Sequence, residues 1–327
     1  GMQLHTGIKV ESLDELFAQG FNAIFIEIGT QRPVRLGIEG EEHHCVIDGL
    51  SFLKRVNLGE RFDIGKRIGV IGGGNVAIDA ARVALRLGAE EVIILYRRTR
   101  TEMPALGEEI EAAIEEGVKI EFLVTPRRII PQNNCIDVEL IRMRLGAPDE
   151  TGRRRPIPIE GSEFRMNFDT LIVAIGQTTD IPEGFGLELT QRGLIKVDQE
   201  TLATSREGVF AGGDVVLGPS SVIEAIAQGR IAAESIDKFL GGTGEIDEQL
   251  TDEDKPDMWM GRIEGFAQLH KVTVRHLPPL QRKMNFEEVE LGYTEEEAVA
   301  EAIRCLRCDL RFYLSPPLRT IICGGNS

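Results

Sequence analysis

The sequence predicts an α/β fold built around a dinucleotide-binding unit. Three observations carry this. Residues 66–98, KRIGVIGGGNVAIDAARVALRLGAEEVIILYRR, run as apolar strand, glycine-rich turn, amphipathic helix and second β-branched strand. Residues 208–240 repeat that order, with strand Val209-Phe210-Ala211, turn Gly212-Gly213-Asp214 and a long helix from Val222. Two further apolar strands, within 22–33 and 169–182, both run into Ile-Gly, a polar residue and a proline.

In chain order, residues 8–10 read as a strand. Ser12 with Glu15 forms a capping box for a helix that stops at Gly20. Residues 23–28 form a buried-strand pattern ending at Gly29, residues 30–42 are loop-like, and 50–56 suit a short helix. After the 66–98 unit, Met103-Pro104 leads into an amphipathic helix ending near Gly117, followed by a strand over 118–124. Residues 127–130, 136–145 and 156–159 read as a β-meander with polar turns. NAIFIEIGTQRP (22–33) and DTLIVAIGQTTDIP (169–182) match in pattern and read as two crossings between one domain and another inserted into it. Ser221 with Glu224 caps the helix of 222–240, which Gly241-Gly242 ends. An acidic linker covers 245–257, and Thr294 with Glu297 caps a last helix that runs to Cys305 and Cys308. The expected organisation is an outer domain of 1–64 and 166–243, an inner coenzyme domain of 65–165, and an acidic linker with a cysteine-bearing tail over 244–327.

Within the first unit, Gly72, Gly74 and Ala77 take the small positions of G-x-G-x-x-G/A. Gly72 permits the tight turn, Gly74 lets backbone approach a phosphate, and Ala77 lets helix and strand pack closely. The helix mouth at Gly73, Gly74, Asn75 and Val76 then offers N–H groups and the positive end of its dipole to an anion. An acid is expected about 20 residues on to hold the ribose hydroxyls of NAD. Here Tyr96 is followed by Arg97, Arg98 and Arg100, with no acid before Glu102. A guanidinium pairs bidentately with a 2′-phosphate that a carboxylate repels. The coenzyme preference expected is therefore NADP(H) over NAD(H).

The chain has 327 residues and a formal net charge of −16. That length suits two domains. The charge disfavours nucleic acid and anionic membrane as partners. No segment has the roughly 20 apolar residues of a membrane span, and no basic-then-apolar leader opens the sequence. The five cysteines are too scattered for a disulfide framework, so the expected compartment is the cytoplasm.

The runs VIGGGNVAIDAARVALRLGA, AIGQTTD and LATSREGVFAGGDVV with SVIEAIAQGRIAA together resemble the small subunit of NADPH-dependent glutamate synthase. More broadly, they resemble flavin-dependent pyridine-nucleotide oxidoreductases. The tail EEEAVAEAIRCLRCD resembles a cysteine-containing segment in members of that group. The resemblance implies a Rossmann-like FAD/NAD(P)-binding fold of three-layer ββα type, with an NAD(P) domain inserted in a partial FAD domain. It implies hydride transfer from NAD(P)H to FAD, and electron delivery to an iron–sulfur partner or subunit. By motif, Gly72, Gly73, Gly74, Asn75, Val76 and Ala77 would hold the NAD(P) pyrophosphate. Arg97 and Arg98 would face the adenosine ribose, and Gly176 with Gln177 would lie near the nicotinamide. Gly213 and Asp214 would bind the flavin ribityl–phosphate region, with Ser221, Val222 and Ile223 near its ring. The family's own flavin-binding glycine turn should precede residue 1, so the sequence reads as the C-terminal portion of a longer polypeptide that binds FAD weakly or not at all.

Cys305 and Cys308 have metal-ligand spacing and could give half of an iron–sulfur or zinc site. No dithiol lies within the coenzyme motifs, which disfavours a thioredoxin-reductase-like activity. The His43-His44 pair could suggest a metal but reads as part of a solvated loop, and Cys45 and Cys135 read as plain packing or surface thiols. Hydride transfer needs alignment more than proton chemistry, so no catalytic acid or base is assigned. A different class of reading is a non-catalytic nucleotide-binding module that docks in an electron-transfer complex.

Overall fold

A computed structural model describes residues 2–133, 135–149, 152–246 and 263–305. The chain divides into one unit of Gly1–Asp247 with Lys283–Asn285, and a second of Glu248–Arg282 with Phe286–Ser327.

In the first unit, α1 (Leu13–Ala18) precedes β1 (Ile24–Ile26) and β2 (Arg32–Pro33). There follow β3 (Val46–Asp48), α2 (Gly49–Asn57), β4 (Arg67–Ile71), α3 (Asn75–Arg86), β5 (Glu91–Tyr96), α4 (Gly107–Glu116) and β6 (Lys119–Phe122). Four antiparallel strands come next: β7 (Val124–Pro131), β8 (Ile136–Pro148), β9 (Arg154–Pro158) and β10 (Phe164–Phe168). The chain then forms β11 (Thr170–Val173), β12 (Gln177–Thr178), β13 (Val209–Ala211), α5 (Asp214–Leu217) and α6 (Val222–Phe239).

The central sheet has five parallel strands in the order β3-β11-β4-β5-β6. The crossovers β3–α2–β4, β4–α3–β5 and β5–α4–β6 all advance in one direction. Right-handed crossovers that advance one way put their helices on one face. The other face must be covered by something else, and β7 to β10 cover it.

Side-chain alternation shows this layering. Ile68, Val70, Val92, Ile94, Tyr96 and Ile172 pack with Phe52, Ala77, Ala81, Ala84 and Ile110 in the helical layer. Their neighbours Ile71, Ile93, Leu95, Leu171 and Val173 pack with Val124, Ile136, Val138, Leu140 and Phe168 in the antiparallel layer. The result is the three-layer ββα arrangement. At the foot of the sheet, Asp169 Oδ2 accepts hydrogen bonds from the backbone N–H of Lys66 (2.7 Å) and Arg67 (2.9 Å), tying β11 to the start of β4.

Three expectations change. The sheet does not respect the boundaries expected at 65 and 165: β3 and α2 precede the first, β10 straddles the second, and all belong to the inner layers. Residues 8–10 form no strand. Ser12 caps α1 through the Asp14 N–H. The capping boxes at Ser221/Glu224 and Thr294/Glu297 are both present.

The outer part has its own small core of Leu13, Ile24, Ile26, Phe185, Ile195, Val209, Ala211 and Val215. Here β1 and β13 pair in parallel, Ile24 with Val209 and Ile26 with Ala211. Between inner and outer parts, β2 and β12 pair antiparallel, Gln177 opposite Pro33 and Thr178 opposite Arg32. The segments after the two matching strands therefore run side by side. In the second unit, Tyr293 donates to the Val272 carbonyl (3.0 Å) and the Val272 N–H donates to Glu301 (2.9 Å) beneath the helix Glu295–Ile303.

The helix that opens at the glycine turn is anchored to α4 by charge. The Glu116 side chain is fully buried, and it accepts from Arg82 Nη2 (2.8 Å) and Arg86 Nη1 (3.0 Å). Arg82 also pairs with Glu109. Burial alone would raise the Glu116 pKa, but the hydrogen bonds and charges of Arg82 and Arg86 overcome it and leave the carboxyl below its usual range. Removing one member of a buried pair strands the other charges. Glu116→Gln should therefore lower unfolding free energy by about 3 kcal/mol in urea titration. Because the folded pKa is depressed, this stabilisation is complete above the unfolded carboxylate pKa of about 4 and is lost as pH falls below it. The variant should accordingly show a shallower loss of stability on acidification; a cost under about 0.5 kcal/mol would reject the role.

Candidate functional site: the glycine turn and the crossings

The three glycines after β4 are required for different reasons. Gly72 has φ +143°, and a Cβ there would lie 2.2 Å from the Ala174 carbonyl oxygen. A Cβ on Gly73 would lie 2.5 Å from the Tyr96 ring. Both therefore answer to packing inside the chain. Gly74 does not, since a Cβ there would find only Pro104 Cγ, at an ordinary 3.8 Å. Gly74 is half-buried as the N-cap of α3, and no described residue crowds its Cβ position. No side chain caps that helix, so its first N–H groups have no side-chain acceptor. Asn75 is exposed, and its Oδ1 accepts from the Leu106 N–H (3.2 Å). Ala77 is fully buried against the sheet, as the fingerprint requires, and Val76 is half-buried.

The arginines after β5 part company. Arg98 is only 5 % exposed; its Nε donates to the Arg154 carbonyl (2.7 Å) and its Nη2 to Asp149 (2.8 Å). It braces the loop after β5 against the β8–β9 hairpin, so its Nε and Nη2 are engaged within the chain, unlike the ribose-facing role expected of it. Arg97 is exposed and makes no hydrogen bond or ion pair with a described residue. Partial desolvation and the nearby Arg98 and Arg153 guanidiniums hold its pKa below the ordinary arginine value. The Asp149 carboxylate acts on it in the opposite sense, but desolvation and the two guanidiniums outweigh it, and a cation so crowded by cations is a receptive place for an anion. The first acid downstream, Glu102, turns inward. Its carboxylate accepts from the Thr99 N–H and hydroxyl, and the hydroxyl bond leads the causes that lower its pKa. It offers nothing to a ribose. Arg153 was not expected here; the run Arg153-Arg154-Arg155 is the signal that could have pointed to it.

Gly176 and Gln177 sit where β11 leaves the sheet. Gly176 has φ +132° and its carbonyl accepts from the Val34 N–H (3.1 Å). Gln177 starts β12, and its Oε1 accepts from the buried Thr30 hydroxyl at 3.5 Å. Because Ala174 abuts Gly72, the glycine turn and this crossing are brought together.

In the outer part, Gly213 has φ +71° and donates its N–H to Gln228 Oε1 (2.6 Å). Asp214 is half-buried; Oδ1 accepts from the Ser220 N–H (3.2 Å), and its second oxygen has no partner among the described residues. Ser221 caps α6. Val222 and Ile223 are 76 % and 79 % exposed, and Ala232 is the one buried residue of α6. Asp214 could thus receive a ligand hydroxyl, and the start of α6 presents a bare apolar surface suited to a flat ring.

Cys305 is exposed just past the last helix, and Cys308 lies outside the described residues. Among the described residues, the clustered metal-type ligands are His43, His44 and Cys45, not Cys305. Burial holds the Cys45 thiol above its usual pKa. No helix among the described residues is long and apolar enough to cross a membrane.

Comparison with known proteins adds to this geometry. The chain is 41% identical over 323 residues to the NADP(+)-dependent formate dehydrogenase subunit beta of Moorella thermoacetica, covering 94% of this chain and 45% of that one. It is 36% identical over 258 residues to the glutamate synthase [NADPH] small chain of Halomonas elongata, covering 73% and 55% respectively. The chain spans about half the length of the curated relatives it matches. Among solved structures, Mycobacterium tuberculosis FprA in complex with NADPH superposes with a TM-score of 0.61 at 20% identity, over 72% of this chain and 67% of that one, which supports the fold. The family model for pyridine nucleotide-disulphide oxidoreductases matches residues 5–229, well over half the length. The chain belongs to the pyridine nucleotide-disulphide oxidoreductase family.

Proposed function

We propose that this chain is the nicotinamide-coenzyme portion of a flavin-linked electron-transfer enzyme. It takes hydride from NADPH, passes it to FAD, and feeds the electrons to an iron–sulfur partner or subunit. The observation that carries the reading is Gly74, a glycine with open space beside it at an uncapped helix mouth. The residue type is unexplained by internal packing and is explained by a phosphate in van der Waals contact with the backbone.

When bound, the nicotinamide supplies a hydride and the flavin accepts it. The chain's own residues do the positioning. The N–H groups of Asn75 and Val76, with the dipole of α3, would hold the pyrophosphate. Arg97 would take the 2′-phosphate, with Arg153 adding positive field. Gly176 and Gln177 would border the nicotinamide, and Asp214, Gly213 and the start of α6 would border the flavin. The named relatives are subunits or chains of larger enzymes, which supports a partner subunit here. The CxxC at Cys305 and Cys308 supports an iron–sulfur contact, but no transfer step is assigned to it.

The direct test is NADPH-dependent reduction of a dye by the full chain with added FAD. Turnover supports the electron-transfer reading, whereas tight NADPH binding without turnover at saturating FAD supports a docking module instead.

Two sets of variants separate the residue roles. Gly74→Ala should keep the thermal midpoint of the parent and weaken NADPH and NADH alike, by about tenfold or more in calorimetry. Gly72→Ala should instead destabilise the fold. If Gly74→Ala binds normally, the open space at the turn is not a phosphate site. Arg97→Ala should weaken NADPH by about tenfold to a hundredfold, the range of a lost charge-assisted hydrogen bond, and leave NADH nearly unchanged. Arg98→Ala should act chiefly on thermal stability. Equal losses for both coenzymes in Arg97→Ala would reject the 2′-phosphate assignment.

A further inference from the structure

The turn before β3 gathers three consecutive side chains of metal-ligand chemistry. One ring nitrogen each of His43 and His44 and the Cys45 sulfur lie within 4.8 Å of one another. The Cys45 sulfur and His44 Nε2 are 3.4 Å apart. A tetrahedral ion with nitrogen at about 2.0 Å and sulfur at about 2.3 Å sets such donors roughly 3.5 Å apart. Neighbouring side chains on an extended strand point to opposite faces. Here the turn brings both imidazoles together, with ring centroids 4.2 Å apart and planes inclined by 41°, and His43 Nδ1 accepts from the Cys45 N–H (3.4 Å).

The turn is held in place before any ion arrives. His43 N–H donates to the Gly40 carbonyl (3.1 Å), Val46 N–H to the His43 carbonyl (2.8 Å) and Leu171 N–H to the Cys45 carbonyl (2.8 Å). Gly40, at φ +84°, presses on β7: a Cβ there would lie 2.1 Å from the Ile129 carbonyl oxygen. Ile129 N–H also donates to the Glu39 carbonyl (2.8 Å). The burial is graded, with Cys45 buried, His43 half-buried and His44 exposed, so the sulfur is shielded while a path from solvent remains.

We propose that His43, His44 and Cys45 bind one borderline-soft divalent cation of the zinc class, through two imidazole nitrogens and one thiolate, with the fourth position left to water. Three protein ligands of this composition match the preference of zinc for nitrogen and sulfur donors. Binding forms the sulfur–metal bond and releases the thiol proton to solvent, with no change of oxidation state. The site precedes the amino end of β3, whereas the glycine turn follows the carboxyl end of β4 in the same parallel sheet. The ion would therefore clip the turn onto the sheet and stand apart from hydride transfer.

The test uses Co2+ as a spectroscopic probe in the full chain, with Cys305, Cys308 and Cys323 changed to Ser. A thiolate-to-cobalt charge-transfer band with strong ligand-field bands should saturate at one equivalent and be bleached by Zn2+. Cys45→Ser should abolish the charge-transfer band, and His43→Ala or His44→Ala should each weaken binding by at least about tenfold. Zn2+ should raise the thermal midpoint of the parent but not of the Cys45→Ser chain. NADPH affinity should not change in any of these variants, which separates this result from the coenzyme reading. Should Cys45→Ser fail to fold, the double variant His43→Ala/His44→Ala decides, and a cobalt band that survives in it overturns the proposal. A band that survives in folded Cys45→Ser, or Zn2+ that neither binds nor stabilises the parent, overturns it equally.

Discussion

The backbone contact between Gly72 and Ala174 sets the rest of the architecture. The two strands they follow, β4 and β11, are bonded neighbours, and the Ala174 N–H closes their ladder on the Ile71 carbonyl at 2.8 Å. With no Cβ at 72, the chain can turn out of β4 directly against the end of β11. That places the opening of α3 beside the exit of β11, and β11 leads within three residues into Gln177. The glycine turn and the β2–β12 crossing are thus a single geometric object. A methyl group at residue 72 would push both apart.

The direction of the crossovers explains the layers. Helices α2, α3 and α4 share one face because each successive connection advances the same way along the sheet. The opposite face, lined by Ile71, Ile93, Leu95, Leu171 and Val173, would be exposed without the antiparallel strands packed on it. Those strands do a second thing. The β8–β9 hairpin supplies Asp149 and the Arg154 carbonyl that fix Arg98, so the loop after β5 is shaped by the layer behind it. Of the two arginines, Arg97 is the one left exposed, with Arg153 close by.

Much of this was legible in the sequence because it is local. The glycine fingerprint, the β-branched run of β5, the strand Val209–Ala211 and the capping boxes at Ser221 and Thr294 each depend on residues within a few positions of one another. The Thr99–Glu102 box has the same S/T-x-x-E spacing and explains why the nearest acid is unavailable to a ribose. Long-range facts were not legible. Arg98 looks like its neighbour Arg97 until a partner 51 residues away buries it. The strand Phe164–Phe168 does alternate apolar and polar residues, a local strand signal that the three-stranded meander left out; only its place beside β8 is long-range. His43 and His44 read as polar loop because sequence does not show that a turn brings both rings together beside Cys45.

The short pairing of Arg32–Pro33 with Gln177–Thr178 bears on how such a molecule could arise. Antiparallel partners stand about 5 Å apart, so everything between Pro33 and Gln177 leaves and re-enters the outer part at nearly one point. A fragment whose two ends coincide can be spliced into a surface loop of a host without deforming it. The host, in turn, could be rejoined across the gap by a tight turn. The ribbon is thus the one place where the two ends of residues 34–176 meet, and a change of length within that span need not disturb the strands outside it.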